Sequence, residues 1–126
     1  MTPNDFRRIA LGMQDAIEGA YMGHPDFRMN NKIFATLHPD GKRGMVKLTP
    51  DQQREFMTND PSTFVPASGA WGRQGCTMVE LRSVDETVLG EAMTLAWQNT
   101  AREAAAKRAK RTKSTRERSP RARRTT

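Results

Sequence analysis

The charge of the chain changes abruptly after Ala101, and this break confines the folded part to the residues before it. Residues 102–126 hold eleven basic and two acidic side chains, a net charge of +9, whereas residues 1–101 hold ten basic and twelve acidic ones, a net charge of −2. Nothing from Lys107 onward is apolar enough to pack against a core. We therefore expect one domain over residues 1–101 and a basic tail over residues 102–126, helical for a turn or two and then largely disordered.

The composition excludes several classes of protein. About 100 residues support one hydrophobic core, and no apolar run approaches the roughly 20 residues of a membrane span. The first six residues have neither the basic start nor the apolar stretch of a signal peptide. Cys76 is the only cysteine, which excludes an internal disulfide and a cysteine-based metal site. We expect a cytoplasmic protein, nucleoid-associated if it binds DNA, with no membrane, metal, cofactor or small-molecule ligand.

Capping signals predict where three helices begin. Thr2 is the predicted N-cap of the first helix, with Pro3 at the first helical position and Asp5 near the positive end of the helix dipole. Thr49 with Gln52, and Ser83 with Glu86, have the spacing of a capping box. Apolar residues recur at helical spacing from Phe6 to Ala20, so we expect the first helix to end before Gly23-His24-Pro25. The third helix carries Val88, Leu89, Ala92, Met93, Ala96, Trp97 and Thr100 at the same spacing.

Five short strands are predicted between these helices, over residues 27–29, 33–37, 45–48, 63–66 and 76–81. Short links at Asn30-Asn31 and at residues 38–41 require antiparallel hairpins. The prolines around residues 63–66 predict an edge strand, and residues 67–75 form a glycine-rich connection. The order α-β-β-β-α-β-β-α predicts a two-layer α+β domain, an antiparallel sheet with helices on one face and the other face open.

Five ordered motifs in residues 4–101 resemble the MmcQ/YjbR family. They are His24-Pro25-Asp26-Phe27-Arg28, Lys32-Ile33-Phe34-Ala35-Thr36-Leu37, Val46-Lys47-Leu48-Thr49-Pro50-Asp51-Gln52-Gln53, Gly69-Ala70-Trp71-Gly72-Arg73 with Gly75, and Glu91-Ala92 with Ala96-Trp97. The resemblance implies a small α+β domain related to secretion-chaperone-like folds, with a double-wing arrangement proposed to bind DNA. Two residues depart from the family pattern: Asn31 replaces a usual glycine and Cys76 replaces a common aromatic residue.

Basic side chains in the predicted hairpins and in the tail are the candidate DNA contacts, since lysine and arginine position proteins on phosphates. In the domain they are Lys32, Lys42, Arg43, Lys47 and Arg73; in the tail they are Lys107, Arg108, Lys110, Arg111, Lys113, Arg121, Arg123 and Arg124. The tail can neutralise many phosphates without reading sequence. The alternative is that the domain residues are ordinary surface charges and the tail is a solubilising extension.

Other residues have a structural interpretation beside a functional one. Trp71 either stacks on a ligand from its glycine-rich loop or, as we expect, fills the core; Trp97 is expected in the core. Cys76 is expected to be a buried strand residue. His24, Asp26 and Arg28 share one side of an extended segment, which could suit acid-base chemistry, but a structural role is expected because no nucleophile or second carboxylate accompanies them.

Three functions follow from these observations. The first is a non-enzymatic DNA-binding protein whose tail supplies most of the affinity, with a possible contribution from the hairpins. The second is a protein-binding adaptor or homodimer that uses the open face of the sheet. The third, an enzyme, rests only on the His24, Asp26 and Arg28 group and ranks last.

Overall fold

The structure, a computed structural model, describes residues 1–21 and 23–118, with their side chains except those of Tyr21 and residues 110–118. These residues form four helices and six strands. Their bounds are α1 Pro3–Leu11, β1 Ile17–Tyr21, β2 His24–Met29, β3 Lys32–Leu37, β4 Arg43–Lys47, α2 Pro50–Asn59, β5 Phe64–Pro66, α3 Gly69–Arg73, β6 Cys76–Glu80 and α4 Glu86–Arg118.

The strands form one antiparallel sheet in the order β1-β2-β3-β4-β6-β5. Helices α1 and α4 pack on the central strands, and α2 packs on β5 and β6. The α+β class and the placement of the long helices on one face are therefore confirmed. β5 lies at an edge, as its flanking prolines predicted, and the opposite face of the sheet is left uncovered by these three helices.

The first helix is shorter than the sequence predicted, and a strand takes the place of its second half. α1 ends at Leu11 with Gly12 as its C-cap, and residues 17–21 pair with β2 as the edge strand β1. The helical interpretation of residues 12–20 was wrong because glycine costs about 1 kcal/mol in a helix interior, whereas β2 offers these residues a hydrogen-bonded partner. Met13 and Ala16 still pack against the core, but from a loop.

The last helix begins and ends differently from the prediction. Its N-cap is Asp85, whose carboxylate accepts hydrogen bonds from the backbone N–H groups of the second and third helical residues at 3.0 and 3.3 Å. Ser83, the predicted cap, instead shares a hydrogen bond with the hydroxyl of Thr63. α4 continues to Arg118, beyond the one or two extra turns expected. Residues 119–126, the remainder of the predicted tail, lie outside the described residues.

Aromatic side chains fill the layer between the helices and the sheet. The largest fully buried ones are Phe6, Phe27, Phe34 and Phe64. The Phe6 and Phe27 rings lie 5.9 Å apart between centroids, and Phe6 contacts β4 so closely that a Cβ at Gly44 would overlap its ring. Trp97 is half-buried against this core and donates a hydrogen bond from Nε1 to the Gln14 carbonyl oxygen at 2.8 Å, which confirms its predicted role in packing.

Residues 1–21 and 23–118 contain neither a helix suited to crossing a membrane nor a cluster of metal ligands. None of their helices has the length and apolar character needed to cross a membrane. Within the same residues, no three His, Cys, Asp or Glu side chains lie close enough together to share a metal ion.

Candidate nucleic-acid interface

The β2–β3 hairpin and helix α4 bring three basic side chains together. Asn30 and Asn31 form the two-residue turn, with φ of 52° and 64°, the left-handed conformation that asparagine tolerates in such hairpins. Lys32 follows the turn. Ala104 is buried beside it, and Lys107 and Arg108 lie on the same face of α4, three and four residues further along.

These residues enclose a shallow depression of about 480 Å³ whose lining is polar and basic. We call Lys32, Lys107 and Arg108 the basic ridge. Among the described side chains, none of the three forms an ion pair within 4.0 Å, and Lys107 and Arg108 are exposed. Cations that line one depression and are not neutralised by a described carboxylate favour binding of a phosphate group.

The second hairpin carries its basic residues at the opposite end of the sheet. β3 spans six residues, so Lys42 lies about 20 Å from the Asn30-Asn31 turn. Arg43 is paired with Asp40 at 3.3 Å. The pKa of Asp40 is lowered, first by the hydrogen bond that it accepts from the backbone N–H of Lys42 and then by nearby His38 and Arg43. Lys42 and Arg43 therefore do not belong to the basic ridge.

Apart from Lys47, the remaining predicted contacts fall in three groups. Arg73 is exposed at the last position of α3. The backbone of α4 includes Lys110, Arg111 and Lys113, but the structure does not describe their side chains. Arg121, Arg123 and Arg124 lie outside the described residues altogether.

Lys47 lies on the uncovered face of the sheet, in a groove of about 570 Å³ that we call the open-face groove. The register places Lys47 opposite Cys76 and Met45 opposite Met78, on neighbouring strands β4 and β6. The groove combines an apolar lining with cationic groups at its edge. Its residues are Ile33, Thr36, His38, Arg43, Met45, Lys47, Val65, Pro66, Ala67, Ser68, Trp71, Cys76 and Met78.

Trp71 is 63% exposed at the side of this groove, so its predicted place in the core was wrong. The glycine-rich connection is in fact the short helix α3, and its backbone rather than its tryptophan packs against the domain. A Cβ at Gly72 would overlap the Ala67 carbonyl, and one at Gly75 would overlap the Leu48 carbonyl. Close backbone packing leaves the indole ring of Trp71 on the outside.

Gln53 holds α3 in place, a role that the sequence analysis missed. Its side chain is buried on α2, and Nε2 donates hydrogen bonds to the carbonyl oxygens of Gly72 and Cys76, both at 3.0 Å. The only signal in the sequence was an uncharged polar residue one position past a capping box. Gln53 thus connects α2 to the C-terminal half of α3, directly after Trp71, and to the start of β6.

Cys76 is buried, as predicted, and burial raises the pKa of its thiol, with a smaller opposing effect from nearby Lys47. The thiolate is the reactive form of cysteine. Because a raised pKa disfavours this reactive form, we interpret Cys76 as part of the apolar lining of the groove.

The polar side chains of β2, which belong to His24, Asp26 and Arg28, interact with neighbours inside the domain. The carboxylate of Asp26 is 1% exposed and accepts hydrogen bonds from the guanidinium of Arg28 at 2.8 and 3.0 Å. These bonds raise the pKa of Arg28. A Cβ at Gly19 would come within 2.9 Å of Asp26, so the edge strand closes over the ion pair. The His24 ring lies against that of His38, with centroids 6.2 Å apart.

A larger groove, of about 720 Å³, lies between α2 and α4. Its apolar residues include Met13, Phe56 and Leu95, but Glu55 and Glu91 are also in its lining. Carboxylates repel phosphate groups, so this groove does not suit a nucleic acid.

Comparison with known proteins identifies the family. The YjbR family model matches residues 11–99. The chain belongs to the YjbR family. Among solved structures, this YjbR protein is similar to the crystal structure of Deinococcus radiodurans protein DR2400, which contains the family-model domain DUF419. The TM-score is 0.66 and the identity 18%, over 76% of this chain and 75% of that chain. At this identity the likeness shows a shared fold. No match was found among curated proteins.

Two of the motifs that resemble YjbR proteins meet at α3. The motif that ends at Gln53 supplies the buried amide, and the Gly69–Arg73 motif supplies the helix that it holds. The two departures from the family pattern are accommodated locally. Asn31 adopts a left-handed backbone conformation, which asparagine tolerates, and Cys76 lies in the lining of the open-face groove.

Proposed function

We propose that this YjbR protein binds DNA through the phosphate backbone, independently of sequence, with the basic ridge as the part of the folded domain that contacts phosphates. The observation that carries the proposal is the convergence of Lys32, from a hairpin, with Lys107 and Arg108, from α4. A cluster built from two separate elements has a fixed geometry, which a disordered polycation lacks.

The charge distribution supports the same conclusion. Residues 1–101 carry a net charge of −2 and residues 102–126 a net charge of +9, so the affinity for a polyanion comes mainly from the end of the chain. The ridge lies where α4 leaves the domain, and it determines how the domain is oriented on the nucleic acid. Phosphate contacts of this kind position a protein but carry no sequence information.

The test is fluorescence anisotropy of labelled duplexes titrated with the full chain and with the double variant Lys107→Gln/Arg108→Gln. The matched control is Arg54→Gln/Arg82→Gln, which removes the same charge from two exposed positions outside the ridge. We expect two duplexes of unrelated sequence to bind equally, and the ridge variant to bind both several-fold more weakly than the control.

Two results would contradict the proposal. One is an absence of duplex binding by the full chain at physiological salt. The other is an equal loss of affinity in the ridge variant and the control, which would mean that only net charge matters and that the ridge has no role.

A further inference from the structure

Trp71 combines a fixed backbone with a free side chain. The backbone of α3 is fixed by Gln53 and by the close approaches at Gly72 and Gly75, yet the indole ring is 63% exposed. A large aromatic ring in contact with water loses the free energy that its burial would contribute. An exposed tryptophan on a fixed backbone is a suitable platform for stacking a planar ligand.

The open-face groove beside Trp71 suits a ligand that has both an apolar part and a negatively charged group. Met45 and Met78 lie side by side in its lining, and Lys47 forms no ion pair with any described side chain. No Asp or Glu is among the residues that line the groove. A volume of about 570 Å³ lies within the range of about 300–1,000 Å³ that ligand sites occupy.

The groove and the basic ridge meet at one end of the sheet. Lys32 belongs to the ridge, and the next residue, Ile33, lines the groove, because successive residues of a strand point to opposite faces. Lys47 is at the same end, since β4 runs back toward the start of β3. A nucleic acid strand bound to the ridge can therefore continue around this end of the sheet into the groove.

We propose that the open-face groove binds a nucleotide of single-stranded nucleic acid, with the base stacked on Trp71 and the phosphate near Lys47. This inference rests on the proposed function and extends it. In a duplex the bases are stacked inside, whereas a single strand can splay a base onto an aromatic side chain. The basic ridge contacts the phosphates of both duplex and single-stranded DNA, and the open-face groove adds affinity for single strands alone.

The test uses tryptophan emission of the full chain, titrated with a ten-nucleotide oligo-dT, with a duplex and with thymidine monophosphate. Trp97 is half-buried and hydrogen-bonded, so it provides a constant background. We expect oligo-dT to quench the emission and the Trp71→Phe variant to abolish the quenching while it retains most of the affinity. Trp71→Ala should weaken oligo-dT binding roughly 5- to 100-fold and leave duplex binding unchanged.

The outcomes separate this inference from the proposed function. If no DNA binds, both fail. If the duplex binds but Trp71→Ala binds oligo-dT as the unmodified chain does, only the groove assignment fails. Binding of thymidine monophosphate as tight as that of oligo-dT would overturn the assignment to a strand. A dimer that Trp71→Ala converts to a monomer, with no change in oligo-dT binding, would overturn it in favour of a protein-binding face; sedimentation equilibrium measures this.

Discussion

The buried amide of Gln53 gives the sharpest test of how α3 is held. In Gln53→Ala, the carbonyls of Gly72 and Cys76 each lose one hydrogen bond of 3.0 Å. Neither carbonyl is left without a donor, because the backbone N–H groups of Gly75 and Ala67 still reach them. The loss is therefore that of two ordinary hydrogen bonds, at about 0.5–1.5 kcal/mol each.

The expected destabilisation is about 1–3 kcal/mol, which lowers the Tm of a domain of this size by roughly 5–20 °C. Gln53→Glu should be more destabilising than Gln53→Ala at neutral pH, because a carboxylate would then face two carbonyl oxygens in a buried site. Thermal unfolding followed by circular dichroism measures both variants, with Gln74→Ala, an exposed position in the same segment, as the control.

A second signal should accompany the loss of stability. Release of α3 changes the surroundings of Trp71, so its emission in Gln53→Ala should differ from that of the unmodified chain below the unfolding transition. The reasoning is refuted if Gln53→Ala unfolds at the same temperature as Gln74→Ala and Gln53→Glu is no worse than either.

Three further variants or measurements test other parts of the structure. Asp85→Ala should cost about 0.5–2 kcal/mol, because it removes the N-cap of α4, and should cost more than Ser83→Ala; urea denaturation compares the two. Asp26→Ala leaves the guanidinium of Arg28 unpaired, and since Arg28 is 31% exposed and can be hydrated, we expect a cost of about 2–3 kcal/mol, below that of a fully buried pair, again measured in urea. Cys76 should react with an aromatic disulfide reagent at pH 8 far more slowly in the native protein than in urea, because burial and a raised pKa suppress its thiolate; equal rates would contradict the placement of this thiol.

Local signals in the sequence predicted the elements that local interactions determine. The capping boxes at Thr2 and Thr49 are present in the structure, as is the tight turn at Asn30-Asn31. Each depends on residues within three or four positions of one another, so the sequence contains all of the information. The antiparallel pairing of β2 with β3 and of β3 with β4 followed from the short links between these strands, and the open face followed from the order of helices and strands.

Predictions failed where contacts with distant residues override a local pattern, as at the predicted cap Ser83, whose hydroxyl instead pairs with that of Thr63, 20 residues away. The apolar spacing of residues 13–20 is compatible with a helix, and only the pairing of residues 17–21 with β2 makes them a strand. Trp71 was placed in the core by its size, whereas Gln53 and Gly72, which determine its exposure, act across a separation of 19 residues. The basic ridge was also hidden, because Lys32 and Lys107 meet only through the docking of α4 on the sheet.

The salt dependence of duplex binding tests the central claim most directly. The measurement is the affinity of the full chain for one duplex over a range of salt concentrations, compared with that of the triple variant Lys32→Gln/Lys107→Gln/Arg108→Gln. Each phosphate contact contributes about 0.9 to the slope of log affinity against log salt concentration. If the basic ridge contacts phosphates, the slope of the triple variant will be shallower by about 2 to 3; an unchanged slope would show that these three cations do not touch DNA.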